Sequence, residues 1–196
     1  MKRQKLIETF VSFLKSNDVA VFCGQELGKS AALIDEDGFY YADGSYGLGV
    51  ALGIAMCTDK RVFVFCRDAD VIGDLSVMVQ MAASHQKNLF CVILNEGCYQ
   101  EVKNQPTLTS SVYSIKGLLF NYGFLVHDYS HFFKGRINKK LLTSTVERLT
   151  GPMLILIDIT KGINNIEIDL PDNLDVRMSS FILNAKKGTS LFRGSY

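Results

Sequence analysis

Apolar residues recur near the start of the chain at helical spacing. Leu6, Ile7, Phe10, Val11, Phe13 and Leu14 fall on one face, which predicts an amphipathic helix over Lys5–Lys15 that ends at Asn17 and Asp18. A compact apolar run, Val19–Cys23, reads as a buried strand, followed by a helix over Glu26–Ile34 and a turn at Asp35–Gly38. Gly44–Gly47 reads as a loop. The small-residue stretch Leu48–Cys57 reads as a helix whose glycines and alanines let it lie close to a sheet. Next come strand Arg61–Cys66, helix Val71–His85, strand Leu89–Leu94 and a long polar loop through Pro106. Helix Ser111–Asn121, a short strand Phe124–Val126, helix Lys139–Leu149 and strand Met153–Ile159 complete the pattern.

Strands that alternate with helices predict an α/β fold, a three-layer α/β/α sandwich around a mainly parallel sheet. Residues 1–170 are expected to form this domain and 171–196 a C-terminal tail that wraps the domain or a partner. The pattern also places two acids. Asp68 follows the run Val62–Cys66, and Glu96 follows Leu89–Leu94, so two carboxylates stand at the ends of neighbouring parallel strands, where α/β sheets open their ligand crevice. Strand-end acids also serve as solvated caps, and spacing alone leaves both readings open.

Composition narrows this modestly. The chain has 196 residues, 47% of them hydrophobic, enough for one sizeable core. Its 21 basic and 20 acidic residues give no strong field, and no basic block is interleaved with aromatics, so nucleic acid is not an expected partner. The longest apolar runs, Val19–Cys23 and Met153–Ile157, are far too short to span a bilayer, and Met1–Lys5 leads into an amphipathic segment, so no membrane association is expected and the location expected is cytoplasmic. Cys23, Cys57, Cys66, Cys91 and Cys98 are odd in number and lack metal-type pairing, which suits reduced thiols.

Several motifs are decoys. Gly24, Gly28, Lys29 and Ser30 approach a phosphate-binding loop but are one residue short of the spacing that lets successive N–H groups curl around a phosphate, so they read as an ordinary strand-to-helix turn. Gly47, Gly49 and Gly53 precede a strand rather than follow one, against the dinucleotide pattern. His85, His127 and His131 share no metal-ligand spacing and read as surface or supporting residues; no nucleophile elbow is present.

The residues around the two acids give the chain a resemblance. Arg67-Asp68-Ala69, the 25 residues from 70 to 94, Asn95-Glu96-Gly97, Tyr99 and Gln105-Pro106-Thr107 are similar to the signature of the thiamine-diphosphate-binding domain of thiamine-dependent decarboxylases. Gly44-Ser45-Tyr46-Gly47 and Gly53-Ile54-Ala55 narrow the resemblance to the phosphonopyruvate and sulfopyruvate decarboxylase group, over about Leu6–Leu170. It implies thiamine diphosphate and Mg2+ as cofactors, with Asp68, Glu96 and the Cys98 carbonyl as metal ligands. Ser45, Tyr46, Arg67, Ala69, Asp70 and Tyr99 would join Asp68 around the cofactor, with Gln105 and Thr107 at the mouth of the site. A helix beginning near Asp70 would point its N–H groups at the phosphates.

The departures from that signature are specific. Arg67 and Ala69 replace two glycines, Asp70 replaces a small or hydroxyl residue, Glu96 replaces an asparagine, and the Gly44–Gly53 turn is about two residues short. A carboxylate added beside a diphosphate is repulsive by a few kcal/mol at an effective dielectric of about 20, although Arg67 has the charge to neutralise an acid or a phosphate. The resemblance further implies that the glutamate activating the cofactor lies on a separate pyrimidine-binding domain. A partner, alpha-type subunit is therefore implied, with Phe181–Tyr196 as a contact surface, and a small 2-oxo acid as substrate. No catalytic residue is expected in this chain. The competing expectation is a scaffold or regulatory subunit that kept the fold and lost the cofactor.

Overall fold

In the computed structural model, residues 2–32, 39–42, 44–99, 102–110, 113–129, 144, 147 and 150–160 are described. The tail from Lys161, His131, most of the helix expected over Lys139–Leu149 and the turn at Asp35–Gly38 lie outside the described residues.

Six strands form one parallel sheet: β1 (Val19–Cys23), β2 (Phe39–Ala42), β3 (Val62–Arg67), β4 (Leu89–Asn95), β7 (Leu125–Asp128) and β8 (Met153–Asp158), in the order β2-β1-β3-β4-β8-β7. Two short strands, β5 (Cys98–Tyr99) and β6 (Gln105–Pro106), pair antiparallel within the stretch that the pattern reads as loop. The chain leaves β1 in one direction to make β2 and returns on its other side to make β3. The carboxyl ends of β1 and β3 therefore flank a topological switch point.

Alternation along the strands sorts the two faces by size. Phe22, Phe63, Phe65 and Phe90 point to one face, beneath α1 (Arg3–Val11) and α2 (Gly24–Ala32), which contribute Leu6, Ile7, Phe10 and Leu27. Phe22 stacks on Phe65 at 4.8 Å and Phe63 on Phe90 at 4.9 Å, while Phe10 meets Phe65 edge-on at 5.7 Å. Such aromatic pairs add about 0.5–1.5 kcal/mol beyond their buried area. The opposite face carries the smaller Val21, Cys23, Val64, Cys66 and Cys91 beneath α3 (Tyr46–Cys57), α5 (Leu75–Ala83) and α6 (Ile115–Asn121).

Small residues let α3 approach closely, but through one glycine. A Cβ on Gly47 would lie 2.4 Å from Cys23 Sγ, whereas Gly49 and Gly53 have nothing within 4 Å of that position. The single helix expected over Val71–His85 is two helices, α4 (Asp68–Gly73) and α5. Asp74 leaves helical geometry (φ −141°, ψ 64°), and its carboxylate accepts the Val77 N–H at 3.2 Å, so it ends one helix and caps the next. The GxxxGKS segment lies within α2, where the Ser30 hydroxyl donates to the Glu26 carbonyl at 3.1 Å, so no phosphate loop forms. Among the described residues no helix is long and apolar enough to cross a membrane.

Candidate functional site

Three strand ends converge at the switch point: β1 runs into Gly24, β3 into Asp68 at the start of α4, and β4 into Glu96. Gly24 has φ +77°, and a Cβ there would lie 3.3 Å from Arg67 Nη2, so a residue without a side chain leaves room for the guanidinium. Arg67 is only 5% exposed and turns onto Asp70. Its Nε and Nη2 donate to Asp70 Oδ2 and Oδ1 at 3.1 and 2.9 Å, and its backbone N–H donates to Asp70 Oδ2 at 2.8 Å. The Asp70 carboxylate therefore accepts the backbone N–H at the entry to α4 and balances a buried cation in the same contact.

Asp68 is fully buried and accepts three hydrogen bonds from its neighbours. Its Oδ1 accepts the Glu96 backbone N–H at 3.1 Å, and its Oδ2 accepts the hydroxyls of Thr107 and Thr109, each at 2.6 Å. Those hydroxyls also lie 2.7 Å apart, so two protons are shared among three contacts.

The Glu96 side chain faces α1. Arg3 Nε donates to Glu96 Oε1 at 2.9 Å, and Arg3 Nη1 lies 3.2 Å from Glu26 Oε2, so one guanidinium bridges acids from β4 and α2. Burial pushes the Glu96 carboxyl above its ordinary value, and the Arg3 charge only partly offsets this. Burial likewise raises the Cys23 and Cys66 thiols, with the neighbouring Cys91 thiol, whose Sγ is 3.6 Å away, adding to the effect at Cys66. Both are neutral core thiols rather than nucleophiles.

The structure brings Arg67, Asp68, Ala69, Asp70, Glu96 and Thr107 together as buried neighbours. Cys98 is buried on β5, with its thiol 3.8 Å from Asn104 Oδ1, and Tyr99 pairs with the exposed Gln105 on β6. Ser45 precedes α3 without a side-chain cap bond, and Tyr46 is 75% exposed. His127 stacks against Tyr129, and burial lowers its pKa. Two partners at the crevice escape the sequence reading, Arg3 and Thr109. Arg3 had a signal: Arg3, Ile7 and Phe10 stand at i, i+4 and i+7, so the arginine lies on the apolar face of α1 and has to meet a buried acid.

This arrangement does not fit a magnesium diphosphate. Magnesium requires several oxygen ligands in octahedral array, whereas here both Asp68 oxygens accept protein hydrogen bonds and Glu96 Oε1 is turned onto Arg3. The start of α4, where the resemblance puts the phosphates, holds the Asp70 carboxylate instead.

The parallel α/β/α architecture is similar in fold to that of thiamine-diphosphate-dependent enzymes. Residues 32–125 match the family described as thiamine pyrophosphate enzyme, C-terminal TPP binding domain. In sequence the chain resembles the beta subunit of sulfopyruvate decarboxylase. It is 28% identical over 109 residues to that subunit from Methanothermobacter thermautotrophicus, a segment covering 55% of this chain and 59% of the relative. It is also 28% identical over 109 residues to a sulfopyruvate decarboxylase from Methanosarcina acetivorans, covering 55% of this chain and 28% of that protein. The chain thus spans less than two thirds of either relative. Two solved structures share the fold at 14% identity. A Mycobacterium smegmatis protein assigned as a thiamin diphosphate-dependent enzyme has a TM-score of 0.62, covering 83% of this chain and 32% of its own. The Rhodococcus jostii thiamine diphosphate-dependent 4-hydroxybenzoylformate decarboxylase has a TM-score of 0.58, covering 84% and 33%.

Proposed function

We propose that this chain is the diphosphate-domain half of a two-subunit assembly of the thiamine-enzyme type, in which it acts as a scaffold or regulatory subunit rather than as the half that grips the cofactor. The partner is an alpha-type subunit carrying the pyrimidine-binding domain, and the complex works in the cytoplasm, where free thiols stay reduced. The observation that carries this reading is that protein groups already engage the charged side chains of the crevice. Arg67 is bonded to Asp70, Arg3 to Glu96, and Asp68 to two hydroxyls and an N–H. Every side chain that the resemblance assigns to metal or phosphate already has a protein partner.

A second reading keeps the chain as the cofactor-holding half of a 2-oxo acid decarboxylase or carboligase, binding thiamine diphosphate and Mg2+. It is favoured by the 28% identity to the sulfopyruvate decarboxylase beta subunit and by the retention of Asp68 at the strand end. Isothermal titration of the full chain, alone and with its alpha-type partner, with thiamine diphosphate and Mg2+ separates the two. The scaffold reading expects the two chains to associate and the complex to give no saturable cofactor heat. Saturable, magnesium-dependent binding overturns it in favour of the second reading, and failure to associate overturns the assembly itself.

A further inference from the structure

The outer surface of α3 differs from that of its neighbours. Between Tyr46 and Cys57 the helix carries no charged residue, whereas α1 exposes Lys5 and Glu8 and α6 exposes Lys116. Its inward face, Gly47, Leu48, Ala51, Leu52, Ile54 and Ala55, is buried against the sheet. Its outward face is apolar as well: Tyr46 is 75% exposed and Met56 62%, and Gly49, Val50 and Gly53 lie between them. A helix apolar on all sides belongs inside an assembly, yet half of this one is open to water.

The two outward glycines make a second observation. A Cβ at Gly49 or Gly53 would meet nothing within 4 Å, so no contact inside the chain requires either glycine, and each weakens the helix relative to alanine. Gly47 is different, because Cys23 occupies the space its side chain would need. Bare backbone on an exposed helix face serves a body that approaches closely from outside.

The order of the outward residues identifies that body. Along the helix they run large, small, small, large, as Tyr46, Gly49, Gly53 and Met56, spaced three, four and three apart. The series reads the same from either end. Two copies of α3 crossed antiparallel about a two-fold axis therefore set Tyr46 of each against Met56 of the other, and Gly49 against Gly53. Such a contact brings every charge near its own copy, and a face without charges is spared that repulsion. Val79, 46% exposed, extends the apolar surface onto α5, which packs beside α3.

We infer that the outer face of α3 is a self-association surface, on which a second copy of this chain docks by an antiparallel crossing at Gly49 and Gly53. The inference goes beyond the proposed pairing with an alpha-type subunit and does not depend on whether the crevice binds cofactor. The 12 residues of α3 span about 18 Å, too little for the about 800 Å² per partner of a standard interface, so the dimer is reversible.

Sedimentation equilibrium of the full-length chain by itself is the test. The wild type is expected to pass from the mass of one chain to that of two as its concentration rises from about 1 µM to about 500 µM. Gly53→Leu makes the face more apolar but fills the notch twice per dimer. It is expected to weaken association about tenfold or more, while melting no lower than the wild type in dilute solution. Tyr46→Asp and Met56→Lys are each expected to be monomeric alone and to associate when mixed, because the crossing sets the new acid of one chain against the new base of the other. A wild type that stays monomeric throughout overturns the inference; if the alpha-type subunit then binds the wild type but not Tyr46→Asp, the face belongs to that subunit instead. Association strengthened by Gly53→Leu also overturns it, since an unspecific apolar patch behaves that way. A mixture of the two charged variants that remains monomeric overturns the antiparallel crossing.

Discussion

Along Val62–Cys66 and Leu89–Leu94 every residue is apolar and buried, yet a step further the same strands deliver Arg67, Asp68 and Glu96 into space that is equally dry. The strand bodies are stabilised by non-directional burial, which tolerates any well-fitting apolar set. Their carboxyl ends depend on charges that are safe only when partnered. The contrast separates two kinds of stability, because the sheet does not need the crevice to hold a ligand. It needs only that each buried charge be met, and here protein groups meet it.

The sharpest way to break the rim without touching the body is to strand one charge. Arg67→Met leaves the Asp70 carboxylate buried without its guanidinium and is expected to lose about 3–5 kcal/mol in urea unfolding. Arg67→Gly with Asp70→Ser removes both charges and is expected to lose much less than the single change. A double loss equal to or greater than the single one would mean that the pair matters for something other than mutual neutralisation.

The body is probed by volume instead. Gly47→Ala places a methyl 2.4 Å from Cys23 Sγ and 3.3 Å from its Cα, an overpacking expected to cost about 1–3 kcal/mol. Gly53→Ala, with nothing within 4 Å, is expected to be neutral or slightly stabilising through helix propensity. Equal effects from the two would refute the close approach of α3 at Gly47.

A smaller effect is expected from titration. The folded-state pKa of Glu96 is raised above its reference of 4.5, so the native state takes up a proton that the unfolded chain releases. The stability this group contributes is therefore full below the unfolded pKa and is lost as pH rises through the folded one. Unfolding free energies of the wild type minus those of Glu96→Gln should fall with rising pH just above 4.5, and a flat difference would contradict the assignment. The smallest change belongs at the surface. Lys116, 54% exposed and 3.1 Å from Asp128, is expected to lose less than about 0.5 kcal/mol on mutation to Ala.

These regions also differ in how far the sequence reveals them. The strand bodies follow from local apolar runs, and β1, β3, β4 and β8 fall within a residue or so of their expected limits. The short edge strand β2 does not, because Phe39–Ala42 carries only one buried residue and its pattern is too brief to separate from a loop. The break at Asp74 was legible in Gly73-Asp74, a helix stop followed by a cap, but the continuous apolar period across it outweighs the signal. At the crevice the sequence identifies Asp68, Asp70 and Glu96 as neighbours and treats Asp70 as a repulsive charge, whereas the structure makes it the partner of Arg67. Which cation meets which acid depends on side-chain direction and on α1 crossing the end of β4, and spacing along the chain does not encode such long-range contacts.

The central claim, a crevice whose charges are engaged by protein groups, is tested most directly by a crystal structure of the full chain with the proposed alpha-type partner grown in thiamine diphosphate and Mg2+. The account expects Arg67 on Asp70, Arg3 on Glu96 and no metal at Asp68. A metal bridging Asp68 and Glu96 to a diphosphate, with Arg67 and Arg3 swung away, would contradict it.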